Sequence, residues 1–253
     1  MGAIHTMRQR TLDLPKVIGH RGAGRHAPEN TLASLRMAAR FDIRWVEFDV
    51  RLSSDGIPLL FHDRALQRTT NGRGALAARD YASLRRLDAG GWFGPSFRGE
   101  RIPSLVEAIG VLDKLGLGAN IEIKPEEGRG AETGRAVLAI LRNHWPVEKP
   151  RPLISSFDWS ALATIAAEAP GWPLGLLMAR PHGEWRAWAR RMRAAAIHCG
   201  ARGLDRRGIT ALKRPGLPLV LYTVNGTGRA RQLFAWGADS LISDVPDRLS
   251  AAV

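Results

Sequence analysis

Eight short runs of β-branched or leucine residues, each followed by a longer Ala/Leu/Arg-rich stretch, do most to limit what this chain can fold into. The runs are 16–20, 45–50, 119–124, 152–157, 174–178, 196–198, 219–224 and 240–243. Strand-length runs alternating with helical stretches are the pattern of parallel βαβ units. Eight of them in 253 residues predict an α/β fold of the closed (β/α)8 TIM barrel type. The intervening stretches are amphipathic. Residues 31–41, for example, place Leu32, Leu35 and Ala39 on one stripe, with Arg36 and Arg40 elsewhere. Gly116, Gly171, Gly216 and Gly237 fall where a left-handed helix end is wanted.

One segment breaks the alternation. Residues 57–61 also read as a strand, but only Ser53-Ser54-Asp55-Gly56 separates them from 50–52. A parallel neighbour needs a crossover of a dozen or more residues, so this link is a tight antiparallel turn, which Asp55-Gly56 suits. The arm 59–61 is therefore an excursion above the barrel that returns to the end of strand two, and eight barrel strands remain. Residues 63–102 have weak periodicity, six glycines and a Trp92-Phe93 pair. So long a stretch is expected to form a small insertion, about 64–103, packed beside the mouth of the site, with Trp92 near that mouth. The whole chain, 1–253, is expected to be one barrel domain.

Composition narrows the function classes. The net charge of +13 comes from 37 basic against 24 acidic residues, and only five of the basic ones are lysines (16, 114, 124, 149 and 213). The basic residues are scattered in runs of three or fewer without interleaved aromatic residues, so a nucleic-acid surface is not expected. A positive field that speeds encounter with an anionic substrate accounts for the charge more simply. No apolar run approaches the ~20 residues of a membrane span. Residues 1–7 lack the charged and apolar regions of a secretory leader, and a single cysteine, Cys199, fits a reducing compartment. A cytoplasmic protein without stable membrane insertion is expected; the sequence does not set the oligomeric state.

Residues i and i+2 of a strand share a face. Glu47 and Asp49 therefore project together while Val46, Phe48 and Val50 face the helices, and Glu122 and Lys124 project together opposite Ile121 and Ile123. Three carboxylates meeting at the C-terminal ends of successive strands, without other counter-charges, would repel. A hard divalent cation such as Mg²⁺ or Ca²⁺ removes that conflict; an ordinary Glu122–Lys124 ion pair on a solvated edge is the simpler alternative. His20 ends strand one, followed by Arg21, and His62 ends the hairpin arm, so both join the same face. The other histidines do not share the placement. His5 lies near the terminus, His26, His144 and His182 in loops or helices, and His198 in a strand, where packing is its expected role. Gly22-Ala23-Gly24 lacks the further residues of a phosphate loop or dinucleotide fingerprint. Pro28-Glu29-Asn30-Thr31 reads as a helix start.

Taken in order, His20-Arg21-Gly22, Pro28-Glu29-Asn30-Thr31, Glu47-Phe48-Asp49-Val50, Phe61-His62-Asp63, Asp88-Ala89-Gly90-Gly91-Trp92, Ile121-Glu122-Ile123-Lys124, Ser155-Ser156-Phe157, Tyr222-Thr223-Val224-Asn225, Trp236-Gly237-Ala238-Asp239 and Ser243-Asp244 form a set that resembles the glycerophosphodiester phosphodiesterase family. The likeness covers nearly the whole chain and is strongest to the short cytosolic bacterial form. It implies hydrolysis of glycerophosphodiesters such as glycerophosphocholine and glycerophosphoethanolamine to sn-glycerol 3-phosphate and an alcohol. It further implies one divalent cation, Mg²⁺ or Ca²⁺, on Glu47, Asp49 and Glu122, a phosphate held by Arg21 and Lys124, and acid–base catalysis by His20 and His62. Which histidine is the acid, and whether water or the glycerol 2-hydroxyl attacks, stay open at this level. The alternatives are lysophospholipase-D-like action on lysophospholipids at the same site, a basic nucleic-acid-binding module, and a barrel that binds without catalysing.

Overall fold

In the computed structural model, which describes residues 12–253, eight parallel strands close into a barrel. The readings of residues 1–7 and of His5 lie outside the described residues. The strands are β1 (Val17–Gly19), β2 (Trp45–Leu52), β3 (Pro58–Leu60), β4 (Gly118–Ile123), β5 (Leu153–Ser156), β6 (Leu174–Met178), β7 (Ala196–Gly200), β8 (Leu219–Tyr222) and β9 (Ser240–Ser243). Their hydrogen-bonded order is β1-β9-β8-β7-β6-β5-β4-β2, and β1 pairs back to β2, which closes the ring. β3 stands outside it, antiparallel to β2 with Val50 opposite Leu60 and Leu52 opposite Pro58. Gly56 in the intervening turn has φ +78°, as the hairpin reading requires.

Around the barrel run α1 (Leu32–Arg40), α3 (Leu105–Lys114), α4 (Gly130–His144), α5 (Trp159–Glu168), α6 (Trp185–Arg191), α7 (Arg206–Lys213), α8 (Thr227–Ala235) and α9 (Pro246–Ser250), while a short α2 (Tyr81–Leu84) belongs to the insertion. The strand faces that look outward supply the core between barrel and helices, with Val46, Phe48, Val50, Ile121 and Ile123 all buried there. Inside the barrel Ile18, Leu153, Ala196, Val220 and Ile242 form a separate apolar layer. That layer makes the barrel a packed core rather than a pore.

Two local expectations need correction. The fully buried face of α1 is Ser34, Leu35 and Ala38, with Leu32 and Ala39 only partly covered, so the stripe is turned slightly from the one expected. The start of the helix differs from its reading as well. Thr31 is the cap, its hydroxyl accepting from the Ser34 amide, and the first turn contains no acidic residue; Pro28 and Glu29 lie before the helix, not in it. Among the four glycines, Gly116, Gly216 and Gly237 adopt positive φ, but Gly171 does not. Gly171 instead offers its carbonyl to the Arg151 guanidinium at 2.7 Å.

The insertion has a core of its own. Leu66, Leu76, Leu84, Ala89 and Ile102 pack with Leu59 and Phe61 from the hairpin. Asp88 ties its far end, accepting from the amides of Gly90, Gly91 and Gly99. Trp92 is exposed, its indole donating to the Ala89 carbonyl and its ring meeting Phe93 edge-on. Among the described residues, no helix is long and apolar enough to cross a membrane.

Candidate active site

The pleat of two neighbouring strands builds the centre of the site. β2 and β4 run parallel with Asp49 level with Glu122, so Glu47, Asp49 and Glu122 reach the barrel mouth together. One carboxylate oxygen from each lies within 4.8 Å of the others. Glu47 and Asp49 are almost wholly buried, and Oε1 of Glu47 has no hydrogen-bond partner among the described residues. The expectation of no other counter-charge is corrected here. Lys124 Nζ lies 2.9 Å from Glu122 and 3.6 Å from Asp49, and Arg21 Nε lies 3.4 Å from Asp49. The simple Glu122–Lys124 pair therefore exists, but inside a cluster in which three carboxylates face two cations.

The β1–α1 loop brings Arg21 in. Arg21 itself has φ +52°, a left-handed conformation that costs a side chain about 1–2 kcal/mol. Its amide donates to Glu47 Oε2 at 3.1 Å, and its Nη1 to Glu29 at 2.7 Å. The two glycines that follow give the loop room. A Cβ on Gly22 would fall 2.4 Å from the Ser34 hydroxyl oxygen, and one on Gly24 within 2.5 Å of the Asp244 main chain. Gly24→Ala is therefore expected to destabilise the fold by more than the ~1 kcal/mol of its positive φ alone. It is also expected to lower turnover by displacing Asp244. Urea unfolding and steady-state rates check this, and unchanged values for both would show that the close approach is unimportant.

Each of the two histidines is oriented by an aspartate. His20 Nδ1 lies 2.5 Å from Asp244 Oδ1, and Asp244 Oδ2 accepts from Asn225 Nδ2 at 2.8 Å. His62 Nδ1 lies 2.6 Å from Asp63 Oδ1. A ring held at Nδ1 presents Nε2 to the site, and for His20 this atom is 3.8 Å from Glu47 Oε2. Asp63 is gripped by Arg68, which forks onto both of its oxygens and onto both oxygens of Glu29. One guanidinium thus links the His62 pair to the carboxylate that holds Arg21.

The electrostatics follow from burial and these partners. Burial and the charge of Asp49 raise Glu47, to about 8, and raise Glu122 as well. Burial pushes Asp49 the same way, but Arg21, Lys124 and the Asn30 amide outweigh it and hold Asp49 below the usual carboxylate range. Burial opposes a charged His20, yet the hydrogen bond it donates to Asp244 and the charge of Glu47 leave its pKa raised. For His62 burial wins, with help from Arg21 and Lys124, and its pKa is lowered. The two imidazoles are thus pushed in opposite directions.

All seven residues singled out from the sequence (His20, Arg21, Glu47, Asp49, His62, Glu122 and Lys124) are brought together. Their supports were not assigned beforehand: Asp244, Asn225, Asp63, Arg68, Glu29 and Asn30. Asn30 donates Nδ2 to Asp49 Oδ2 at 2.8 Å, and its Oδ1 accepts from the Asp49 amide. Its signals were its place just before the Thr31 cap and its membership of the Pro28–Thr31 stretch that carries the family resemblance. The remaining histidines stay out. His26 pairs with Asp247, and His182 stacks on Trp159. His198 is buried inside the barrel and driven to a pKa of about 3. Trp92 makes its contacts within the insertion, not with these seven groups.

A buried carboxylate trio flanked by two cations and two aspartate-held imidazoles lies at the C-terminal mouth of a TIM barrel, the end at which such barrels carry out their chemistry, and the set can hold an anionic group and move protons. Comparison with known proteins narrows the class. Residues 20–248 match the model of the glycerophosphoryl diester phosphodiesterase family. A glycerophosphodiester phosphodiesterase of Caldanaerobacter subterraneus is 32% identical over 236 residues, covering 92% of this chain and 95% of that one. One from Bacillus subtilis is 30% identical over 249 residues, covering 91% and 83%. A phosphodiesterase of Oleispira antarctica, solved in complex with the product sn-glycerol-3-phosphate, is 40% identical with a TM-score of 0.91, over 94% of this chain and 96% of that one. The chain belongs to the glycerophosphoryl diester phosphodiesterase family and is a phosphoric diester hydrolase.

Proposed function

We propose that this enzyme hydrolyses glycerophosphodiesters, among them glycerophosphocholine and glycerophosphoethanolamine, to sn-glycerol 3-phosphate and an alcohol. We further propose that the whole chain acts as one catalytic unit with the insertion within it. The observation that carries this reading is the convergence of Glu47, Asp49 and Glu122 with Arg21, Lys124 and the two histidine–aspartate pairs. The bound sn-glycerol-3-phosphate of the Oleispira antarctica structure supports the product.

The donor set fits a hard cation. It is all carboxylate, its negative charge exceeds that of Arg21 and Lys124, and Glu47 Oε1 is buried with nothing to accept from. Glu47, Asp49 and Glu122 would hold Mg²⁺ or Ca²⁺, which would supply positive charge against the negative charge that the transition state gathers on the phosphoryl oxygens. Arg21 and Lys124 bind the same oxygens from the protein side. His62, kept neutral, takes the proton of the attacking hydroxyl at Nε2, whether that hydroxyl is water's, which gives sn-glycerol 3-phosphate directly, or the 2-hydroxyl of the glycerol, which gives a cyclic phosphate that water then opens. As the bond from phosphorus to the leaving oxygen breaks, His20, kept protonated by Asp244, gives its Nε2 proton to that oxygen. This division follows from the opposite directions of the two pKa values, and proton transfer of this kind contributes roughly 10²–10⁴-fold.

A bell-shaped dependence of kcat/KM on pH is expected. Below the lowered pKa of His62 the base is protonated and lost; above the raised pKa of His20 the acid is deprotonated and lost. Activity therefore peaks between the two, and Asp244→Asn moves the alkaline limb to lower pH while leaving the acid limb in place. A shift of the acid limb instead would reverse the assignment. The reading as a whole is tested by coupling product formation to glycerol-3-phosphate dehydrogenase across several head groups. Release of sn-glycerol 3-phosphate supports it. Turnover of lysophosphatidylcholine in preference to glycerophosphocholine would overturn it.

A further inference from the structure

We infer that the site selects glycerophosphodiesters whose leaving alcohol carries a negative charge of its own, by way of a basic cavity beside the His20 pair. The inference rests on the function proposed above and names the substrate class within it. A cavity of about 660 Å³ opens between the loops that follow β7 and β8, on the same face of the barrel as the carboxylate trio. Arg202, Asn225 and Arg229 are its polar side chains besides Thr223, and no carboxylate lines it. Asn225 is also the residue that donates to Asp244, so the cavity lies one hydrogen bond from the aspartate that holds His20.

The arginines of this cavity are not held in ion pairs. Arg229 donates to the carbonyls of Ala201 and Leu204 and lies over the Trp236 ring, and among the described residues it has no carboxylate partner. Arg202, and Arg180 in the loop after β6, are exposed and have no ion pair among the described residues. Of the basic residues of 180–214, Arg180, Arg186, Arg202, Arg206 and Arg207 precede or open α6 and α7 at this face, against Glu184 and Asp205, while the other five lie toward the far ends of those helices. On the opposite rim, after β4, Glu126 is already engaged by Arg51 at 2.8 Å and Arg64 at 3.4 Å.

Charge complementarity acts on only one half of the substrate. The glycerol half is uncharged, so a positive cavity can discriminate only among alcohols. A quaternary ammonium such as choline wants an aromatic cage or a carboxylate, and this cavity offers neither. A second phosphate on the alcohol gains from Arg202 and Arg180, and the basic flank raises its rate of encounter at low salt.

The test compares bis(glycerophospho)glycerol with glycerophosphoglycerol, which differ in the charge of the leaving polyol, and with glycerophosphocholine. For the protein loaded with Mg²⁺, kcat/KM is expected to be about tenfold higher for the doubly charged diester than for glycerophosphoglycerol at low ionic strength. That exceeds the factor of two from its two equivalent bonds. The advantage narrows toward that factor as salt shortens the reach of the charges. Arg202→Gln combined with Arg180→Gln narrows it as well, and Arg202→Glu removes or inverts it; circular dichroism confirms that these exposed substitutions leave the fold intact. Equal kcat/KM values for the two polyol substrates, a preference for glycerophosphocholine, or a ratio unmoved by Arg202→Glu would each overturn the charge selection while leaving the parent function standing. Failure to hydrolyse any glycerophosphodiester would overturn the parent function and this inference with it.

Discussion

Chelation with EDTA is expected to abolish hydrolysis of glycerophosphodiesters, and addition of Mg²⁺ or Ca²⁺ to restore it. The argument is one of charge. Glu47, Asp49 and Glu122 meet within 4.8 Å, and two of the three are almost fully buried. Arg21 and Lys124 compensate part of that charge but leave Glu47 Oε1 without a partner. Without a cation the cluster relieves its repulsion by holding a proton, as the raised Glu47 and Glu122 imply. In that state it has less charge to offer and Arg21 and Lys124 remain occupied with it. A cation contributing several kcal/mol of transition-state stabilisation corresponds to at least about a thousandfold in rate, since ~1.36 kcal/mol is tenfold. Glu47→Gln and Asp49→Asn are expected to lose activity by a similar factor. A second readout does not depend on turnover: Mg²⁺ or Ca²⁺ raises the Tm of the apo protein because it binds only the folded state, and Asp49→Asn removes that rise. Full activity in metal-free buffer would remove the cation from the reaction.

His20→Ala and His62→Ala are each expected to lower kcat by roughly 10²–10⁴-fold. Both side chains are partly exposed at the barrel mouth, 20% and 31%, so their removal leaves no large core cavity and the fold survives. The two proton transfers serve one displacement, so the double variant is expected to lose much less than the product of the two single losses. The pair also separates by substrate. A diester with a good leaving group, such as p-nitrophenolate, needs no proton on the departing oxygen, so it is expected to rescue His20→Ala and not His62→Ala. Rescue of His62→Ala instead would exchange the two roles, and near-normal turnover of glycerophosphocholine in either variant would take that residue out of the reaction.

The barrel was legible because its signal is repetitive. Each strand is a run of apolar residues buried on the outer face, and the hairpin arm declared itself through the four-residue link at 53–56, too short for a parallel crossover. The centre of the site was legible for the same reason, since strand parity puts Glu47 beside Asp49 and Glu122 beside Lys124. What strand parity cannot reach is the set of contacts made by loops. Asp244 meets His20 across 224 residues, and Arg68 joins Asp63 to Glu29 across 39; both depend on loop conformations that no periodicity encodes. The counter-charges were misjudged on similar grounds. The position of Arg21 depends on a left-handed turn and on where its side chain folds back. Glu29 and Asn30, read as part of a helix start, lie before the Thr31 cap of α1 and face the site instead of the helix.

The separate core of the insertion has an evolutionary consequence. A segment that packs against itself through Leu66, Leu76, Leu84 and Ile102 can be lengthened, shortened or replaced without repacking the barrel beneath it. Its constraints are the contact with Leu59 and Phe61 of the hairpin and the root, where Asp63 and Arg68 belong to the network that orients His62. Divergence among relatives is thus free to reshape the rest of the insertion while the reacting groups keep their places.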